Sequence, residues 1–164
     1  MGALYDRYGR LAFSVACRIV GEPGEAEDVV QESFLGLWRQ AATLDQGRGS
    51  VRSLLLTIVH RRAIDALRRR SGRPERALDD AAPLASATPD PLEFASLAEE
   101  RQRVQRAMQS LPEEQRQAVE LTYFRGLTIG EMAQEQQIPL GTAKSRLRLA
   151  LDRMRKTLGE PGTQ

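Results

Sequence analysis

Apolar residues recur every three or four positions along most of the chain. In the stretch AEDVVQESFLGLWRQ, residues 26–40, these positions hold Ala26, Val29, Val30, Phe34, Leu37 and Trp38. The spacing places them on one face of an α-helix, so we expect that face, Trp38 included, to lie in a core. The alternating pattern typical of strands is almost absent. The sequence therefore predicts an all-α fold.

Breakers and capping residues divide the first half of the chain into three helices. The first helix should stop at Gly21, and Pro23 suits the first turn of a second helix that runs to about Thr43. After a Gly-rich loop, Ser50 is a plausible N-cap for a third helix that ends at Arg70. These three helices would form one helical bundle.

The second half divides in the same way into four helices. Asp90 and Pro91 read as the start of a helix over 91–110, and Pro112 restarts a helix that runs to Phe124. Thr128 and Glu131 have the spacing of a capping box and open a short helix. The segment QIPL then turns the chain into a last helix over 140–158.

Charge is distributed unevenly along the chain. Residues 1–73 hold 12 Arg and 8 acids, residues 74–100 hold 1 Arg and 7 acids, and residues 101–164 hold 11 basic and 7 acidic groups. Two basic blocks thus flank an acidic connector, which suggests two modules that meet a polyanion. We expect an N-terminal three-helix module over 1–72, an acidic Pro/Ala-rich linker over 73–90 and a C-terminal four-helix module over 91–160.

Several classes of protein are disfavoured by what the sequence lacks. It shows no Ser-His-Asp pattern and no glycine-rich phosphate loop, and its one Cys and one His cannot build a zinc site alone. No apolar run approaches the roughly 20 residues that cross a bilayer. We expect a cytoplasmic non-enzyme with no cofactor, no metal, no small-molecule substrate and no transmembrane segment.

The end of the chain has the pattern of a helix-turn-helix motif. A short capped helix, a turn and a longer basic helix follow one another, and the start of the second helix is the part that enters the major groove of DNA in such motifs. The hydrogen-bond donors at the start of this second helix suit phosphates and base edges. The candidate DNA contacts are Gly141, Thr142, Lys144, Ser145, Arg146 and Arg148.

The third helix is also basic. Its basic residues are Arg52, His60, Arg61, Arg62 and Arg68 to Arg70, beside an apolar stripe. Taken alone, such a helix could lie on a membrane surface or simply be solvated.

These segments together resemble the bacterial RNA polymerase sigma factors of the extracytoplasmic-function group, over nearly the whole chain. The most specific parts are Asp-x-x-Gln-Glu-x-Phe at residues 28–34 and Gly-Thr-x-Lys-Ser-Arg-Leu at residues 141–147. The segments LYDRYGRLAFSVACRIVG, LPEEQRQAVELTYFRGLTIGEMA and the loop from Asp45 to Ser50 support them.

The resemblance implies two modules with separate duties. In such proteins the helix at 26–40 docks on the clamp helices of the largest core polymerase subunit, and further contact is made with the flap of the second. The loop and third helix would bind the non-template strand of the proximal promoter element, and the helix-turn-helix would read the distal element. An anti-sigma factor, often membrane-bound, would hold the protein inactive.

The site residues implied by the resemblance fall into three sets. Those for core polymerase are Asp28, Gln31, Glu32, Leu35 and Arg39. Those for the proximal promoter element are Gly47, Arg48, Gly49, Ser50, Arg52, Arg61 and Arg62. Those for the distal element are the six residues of the last helix given above.

Two other functions are compatible with parts of the sequence. A helix-turn-helix repressor or activator that never touches core polymerase would use residues 112–158 and favour a dimer on a palindromic site. A helical adaptor that binds only proteins would keep its basic faces for solubility. The repressor or activator leaves the segment DVVQESF and the Gly-rich loop without a role.

Overall fold

The computed structural model describes residues 2–40, 50–74 and 93–159. Within these ranges every regular element is helical, so the all-α prediction is confirmed. The chain divides into two compact units, one built from the first three helices and one from the remaining helices.

The N-terminal unit consists of α1 (Gly2–Val20), α2 (Pro23–Gln40) and α3 (Val51–Arg70), and each helix packs against the other two. Its core takes small and branched side chains from all three helices, which lets the helices approach closely. The fully or nearly fully buried members are Ala12, Ala16 and Val20 of α1, Ala26, Val30 and Phe34 of α2, and Leu55, Val59, Ala63 and Ile64 of α3.

The junction between α1 and α2 is set by three consecutive residues. Gly21 takes a φ of +76°, a conformation in which a side chain would be strained, and Pro23 is the first residue of α2. Between them, Glu22 caps α2. Its carboxylate accepts from the backbone N–H groups of Gly24 and Glu25, at 2.9 and 2.6 Å, and these bonds hold the pKa of Glu22 below its usual value.

The ends of α3 also follow local rules. The Ser50 hydroxyl accepts from the backbone N–H of Ser53 at 3.1 Å, so the predicted N-cap is confirmed. After Arg70 the chain turns at Ser71 and at Gly72, which takes a φ of +66°.

One sequence prediction for this unit is wrong. Trp38 is not in the core, since 61% of it is exposed. The helix is correct and the side-chain environment is not, because the position of neighbouring helices decides it. Arg68, one of the basic residues of the third helix, is only 2% exposed, and its Nε donates to the carbonyl oxygen of Pro74 at 2.7 Å.

The C-terminal unit consists of α4 (Glu93–Gln109), α5 (Glu113–Val119), α6 (Ile129–Glu135) and α7 (Leu140–Gly159). The last helix packs against the other three. Its inner stripe is Ala143, Leu147 and Ala150, and the core around it includes Leu111, Ala118, Leu121, Leu127 and Met132.

The helix predicted to run to Phe124 does so with a change of winding. From Glu120 to Phe124 the backbone forms a π-helical turn that continues α5. Inside it the buried hydroxyl of Thr122 donates to the Ala118 carbonyl oxygen at 2.8 Å. Gly126, with a φ of +66°, then ends the element as expected.

The turn between α6 and α7 is that of a helix-turn-helix motif. Thr128 accepts from the Glu131 N–H at 3.1 Å while the Glu131 carboxylate accepts from the Thr128 N–H at 2.7 Å, so the predicted capping box is confirmed. Gln137 takes a φ of +54° between the two helices. The Ile138 side chain then packs against the core of the unit.

Some predicted boundaries lie outside the described residues. These are the end of the second helix near Thr43, the loop over 44–49, the start of α4 at Asp90 and Pro91, and the linker over 73–90 beyond residue 74.

Candidate functional site

The outer face of α2 carries the residues predicted to bind core polymerase. Asp28, Gln31, Glu32, Leu35 and Arg39 are all exposed, and their spacing of three and four positions places them on one side of the helix. Leu35 is 51% exposed and supplies an apolar side chain among these polar ones. We call this set, with Trp38, the α2 surface.

Trp38 extends the apolar part of that surface. It follows Leu35 by three positions and Phe34 by four, so its ring lies over the outer edge of the same helix. Phe34 itself is buried and stacks at a tilt on Tyr5, with ring centroids 5.1 Å apart. Leu37 occupies the inner stripe, and the residue after it points about 100° further around the helix.

One member of the α2 surface is tied to the neighbouring helix. The Arg62 Nη1 atom of α3 lies 2.9 Å from the Glu32 Oε2 atom. The guanidinium crosses α2 over Gly36, where a Cβ would lie 3.1 Å from the Arg62 Nη2 atom. The structure thus joins a residue predicted for polymerase and a residue predicted for DNA.

The basic residues of α3 do not form one set. Arg61 is exposed, and Ser50, Arg52 and His60 are half-buried near the start and middle of the helix. Arg70 donates to the Glu25 carboxylate at 2.9 Å and to the Val20 carbonyl oxygen at 2.8 Å, which joins α3 to the α1–α2 junction.

Three residues of the proximal promoter set cannot be placed in this way. Gly47, Arg48 and Gly49 lie outside the described residues. Ser50 has a structural duty as the N-cap of α3, independent of any DNA contact.

The first turns of α7 present most of the predicted distal set to solvent. Gly141, Thr142, Lys144, Ser145 and Arg148 are exposed on the side opposite the buried stripe. Arg148 faces Asp152 one turn later, with Nη1 3.7 Å from Oδ2, and Asp152 also pairs with Arg155 at 3.1 Å. The exposed side of α7 is therefore basic, with one acidic residue that restrains two arginines.

Arg146 differs from the rest of that set. It is half-buried, and its Nη1 donates to the Gln136 side-chain oxygen at 3.3 Å. Gln136 in turn donates to the Gln117 side chain of α5 at 3.3 Å. Arg146 thus joins α7 to the turn and to α5.

The part of the chain that the structure describes was also compared with the requirements of a metal site and of a membrane-spanning helix. No group of three or more His, Cys, Asp or Glu side chains is arranged there to hold a metal ion. Of the helices within it, none has the length and apolar character needed to cross a membrane.

Family models match both units. Sigma-70 region 2 matches residues 4–73, and Sigma-70 region 4 matches residues 101–154. Over 155 residues the chain is 34% identical to an ECF RNA polymerase sigma factor, SigK, of Mycobacterium tuberculosis, covering 94% of this chain and 83% of that protein. The chain belongs to the ECF RNA polymerase sigma factors. This sigma factor binds core RNA polymerase and directs promoter-specific transcription initiation, and a repressor or activator that acts without the polymerase is not favoured.

Further comparisons agree on the family. SigK of Mycobacterium sp. (strain KMS) is 35% identical over 161 residues, covering 96% of this sigma factor and 82% of the relative. The crystal structure of Rhodobacter sphaeroides SigE in complex with the anti-sigma ChrR is 31% identical and covers 93% of this chain and 85% of that one. Its TM-score of 0.42 is too low to support a structural conclusion.

Proposed function

We propose that this sigma factor docks on the clamp helices of the largest core polymerase subunit through the α2 surface. The observation that carries the proposal is the joint exposure of Leu35 and Trp38 beside Asp28, Gln31 and Glu32. Large apolar side chains anchor interfaces, and acidic groups around them select a basic partner. Trp38 joins the docking set for this reason.

Two other surfaces bind promoter DNA in this proposal. Residues 47–52 and Arg61 bind the displaced non-template strand at the proximal promoter element, since guanidinium groups and a glycine-rich loop suit a strand with unpaired bases. The exposed residues of α7 read the distal element as duplex, with Lys144 and Arg148 as donors to phosphate or guanine. Arg146, held by Gln136, makes its contact from a fixed position.

The two modules follow the two units. Residues 1–72 would serve docking and the proximal element, residues 91–160 would serve the distal element and the flap of the second polymerase subunit, and 73–90 would link them. Binding to the non-template strand stabilises the melted promoter because that strand is available only when the duplex is open. The protein itself has no catalytic step, and the polymerase carries out the chemistry.

The proposal includes a cytoplasmic location and an anti-sigma partner. A sigma factor 31% identical to this one has been crystallised in complex with an anti-sigma protein. A partner that covers Leu35 and Trp38 would bury apolar surface and block docking at the same time.

Run-off transcription with purified bacterial core polymerase tests the docking surface. Promoter fragments from the source organism are transcribed with the wild type, with Gln31→Ala plus Glu32→Ala, and with Trp38→Ala. We expect discrete transcripts from the wild type and a loss of at least about 10-fold with either variant, because an interface anchor contributes more than about 1.4 kcal/mol.

Glu27→Ala is the matched control, because Glu27 is an exposed carboxylate of the same helix that lies outside the proposed set. Unfolding of each variant is measured alongside. Full activity of the two α2 variants would refute docking through this surface.

A second experiment separates base reading from phosphate binding on α7. Lys144→Ala and Arg148→Ala are compared on promoter fragments with substitutions in the distal element, at several salt concentrations. Replacing a residue that reads a base should cost about 1–3 kcal/mol of binding free energy and relax specificity at one position of the element. Replacing a residue that contacts a phosphate should weaken binding to all sequences and reduce the slope of log affinity against log salt concentration by about 1. Unchanged binding by both variants would contradict the assignment of α7.

A further inference from the structure

The Arg62 guanidinium lies on the border of the α2 surface rather than on an open DNA-facing side of α3. It donates to Glu32 across 30 positions of sequence, and its other terminal nitrogen lies 3.1 Å from where a Cβ of residue 36 would stand. Arg61, one position earlier, turns away by about 100° and is exposed. Arg61 and Arg62 are neighbours in sequence, but Arg62 pairs with α2 while Arg61 faces solvent.

We infer that Arg62 is a positioning residue for polymerase docking, which holds the Glu32 carboxylate on the α2 surface in the geometry that the partner binds. The inference rests on the proposed docking through α2. It moves Arg62 from the promoter-contacting set to the docking machinery.

The pair leaves Glu32 able to meet a partner while limiting its motion. Glu32 remains 63% exposed, and a carboxylate has lone pairs for about four hydrogen bonds, of which Arg62 takes one. A glutamate that is already held in place loses less side-chain freedom when a partner binds. The entropic cost of ordering one side chain is then avoided on binding, which corresponds to about a 2- to 10-fold gain in affinity for core polymerase.

Gly36 leaves room for this arrangement. It stands one helical turn after Glu32, and a Cβ there would lie 3.1 Å from the Arg62 Nη2 atom, so that the guanidinium would have to move by a few tenths of an ångström. A planar group with several donors in fixed directions suits this arrangement better than a flexible ammonium.

The test measures the affinity of the full-length protein for bacterial core polymerase by competition with a labelled sigma factor. The variants are Arg62→Gln, Arg62→Lys, Glu32→Gln and the double variant Glu32→Gln plus Arg62→Gln. The matched control for core binding is Arg69→Gln, an exposed arginine of the same helix outside the proposed sets, and Arg61→Gln is the promoter-contact variant. We expect Arg62→Gln to weaken core binding about 2- to 10-fold, Arg62→Lys to restore part of the loss and Arg69→Gln to bind as the wild type does.

The double variant tests whether the effect passes through Glu32. If Arg62 acts by holding Glu32, then adding Arg62→Gln to Glu32→Gln causes little further loss, because the two side chains act as one pair. Promoter binding is then measured with the polymerase saturated. At saturating polymerase, Arg62→Gln should bind the promoter as tightly as the wild type does, whereas Arg61→Gln should bind it more weakly.

Four results would overturn the inference, and they are distinguishable. If Arg62→Gln binds core polymerase normally, Arg62 has no role in docking and the proposed docking surface still stands. If Arg62→Gln weakens promoter binding at saturating polymerase, Arg62 is a DNA contact and the docking surface again stands. If Arg62→Gln causes the same loss with and without Glu32, it does not act through Glu32. If Glu32→Gln itself has no effect, the docking role of Glu32 fails together with the inference.

Discussion

The Arg68 side chain donates through Nε to the Pro74 carbonyl oxygen at 2.7 Å while only 2% of the residue is exposed. This bond ties the segment that follows α3 back onto the helix. We expect Arg68→Ala to lower the free energy of unfolding by about 2–4 kcal/mol, because it leaves a cavity where a nearly fully buried side chain stood and removes its hydrogen bond. Denaturant unfolding measures the change.

Arg69→Ala is the control for that prediction. Arg69 carries the same charge one position later and is exposed, so its removal should change stability by less than about 0.5 kcal/mol. Equal effects of the two substitutions would mean that charge, and not burial, governs this end of α3.

The capping box at the start of α6 should contribute to the stability of the C-terminal unit. Thr128→Ala removes the acceptor for the Glu131 N–H, and we expect a loss of about 1 kcal/mol in the free energy of unfolding. Thr157→Ala removes a hydroxyl that only bonds to the Arg153 carbonyl oxygen within α7, and it should have little effect. If both variants unfold alike, the cap is not what holds the start of α6.

The turn of the helix-turn-helix holds Gln137 in a conformation that favours glycine. Because its φ is +54°, Gln137→Gly should raise the free energy of unfolding by about 0.5 kcal/mol, the relief of strain being partly offset by the greater freedom of glycine in the unfolded chain. Gln137→Ala keeps a Cβ and should bring no gain. Thermal unfolding of the two variants, side by side, would contradict this account if alanine stabilised as much as glycine.

The Glu22 cap predicts a pH dependence of the N-terminal unit. Since two backbone N–H groups lower the pKa of Glu22 in the folded state, its contribution to stability is fully present above the ordinary carboxyl value of 4.5 and is lost as the pH falls through the lowered folded value. At pH 7 the melting temperature of the wild type should therefore be higher than that of Glu22→Gln. The difference between the two melting temperatures should become smaller as the pH is lowered. A difference that stayed constant down to strongly acidic pH would argue against a charged cap.

Local features were predictable from the sequence because they depend on residues within about four positions of one another. The stops at Gly21 and Gly126, the cap at Ser50 and the box from Thr128 to Glu131 are all of this kind. The motif at residues 28–34 likewise marked the outer face of α2, since helical spacing alone separates that face from the buried one. The family followed from the order of such motifs.

The tertiary structure decided which way ambiguous side chains face. Trp38 has the spacing of a core residue, yet α1 and α3 close on α2 along the stripe through Val30, Phe34 and Leu37 and leave it outside. Arg68 and Arg62 belong to one run of basic residues, yet one is buried against Pro74 and the other pairs with Glu32. Helical periodicity fixes the angle between neighbours on one helix, but the pairs Arg62–Glu32 and Arg70–Glu25 join residues 30 and 45 positions apart, which only the packed unit brings together.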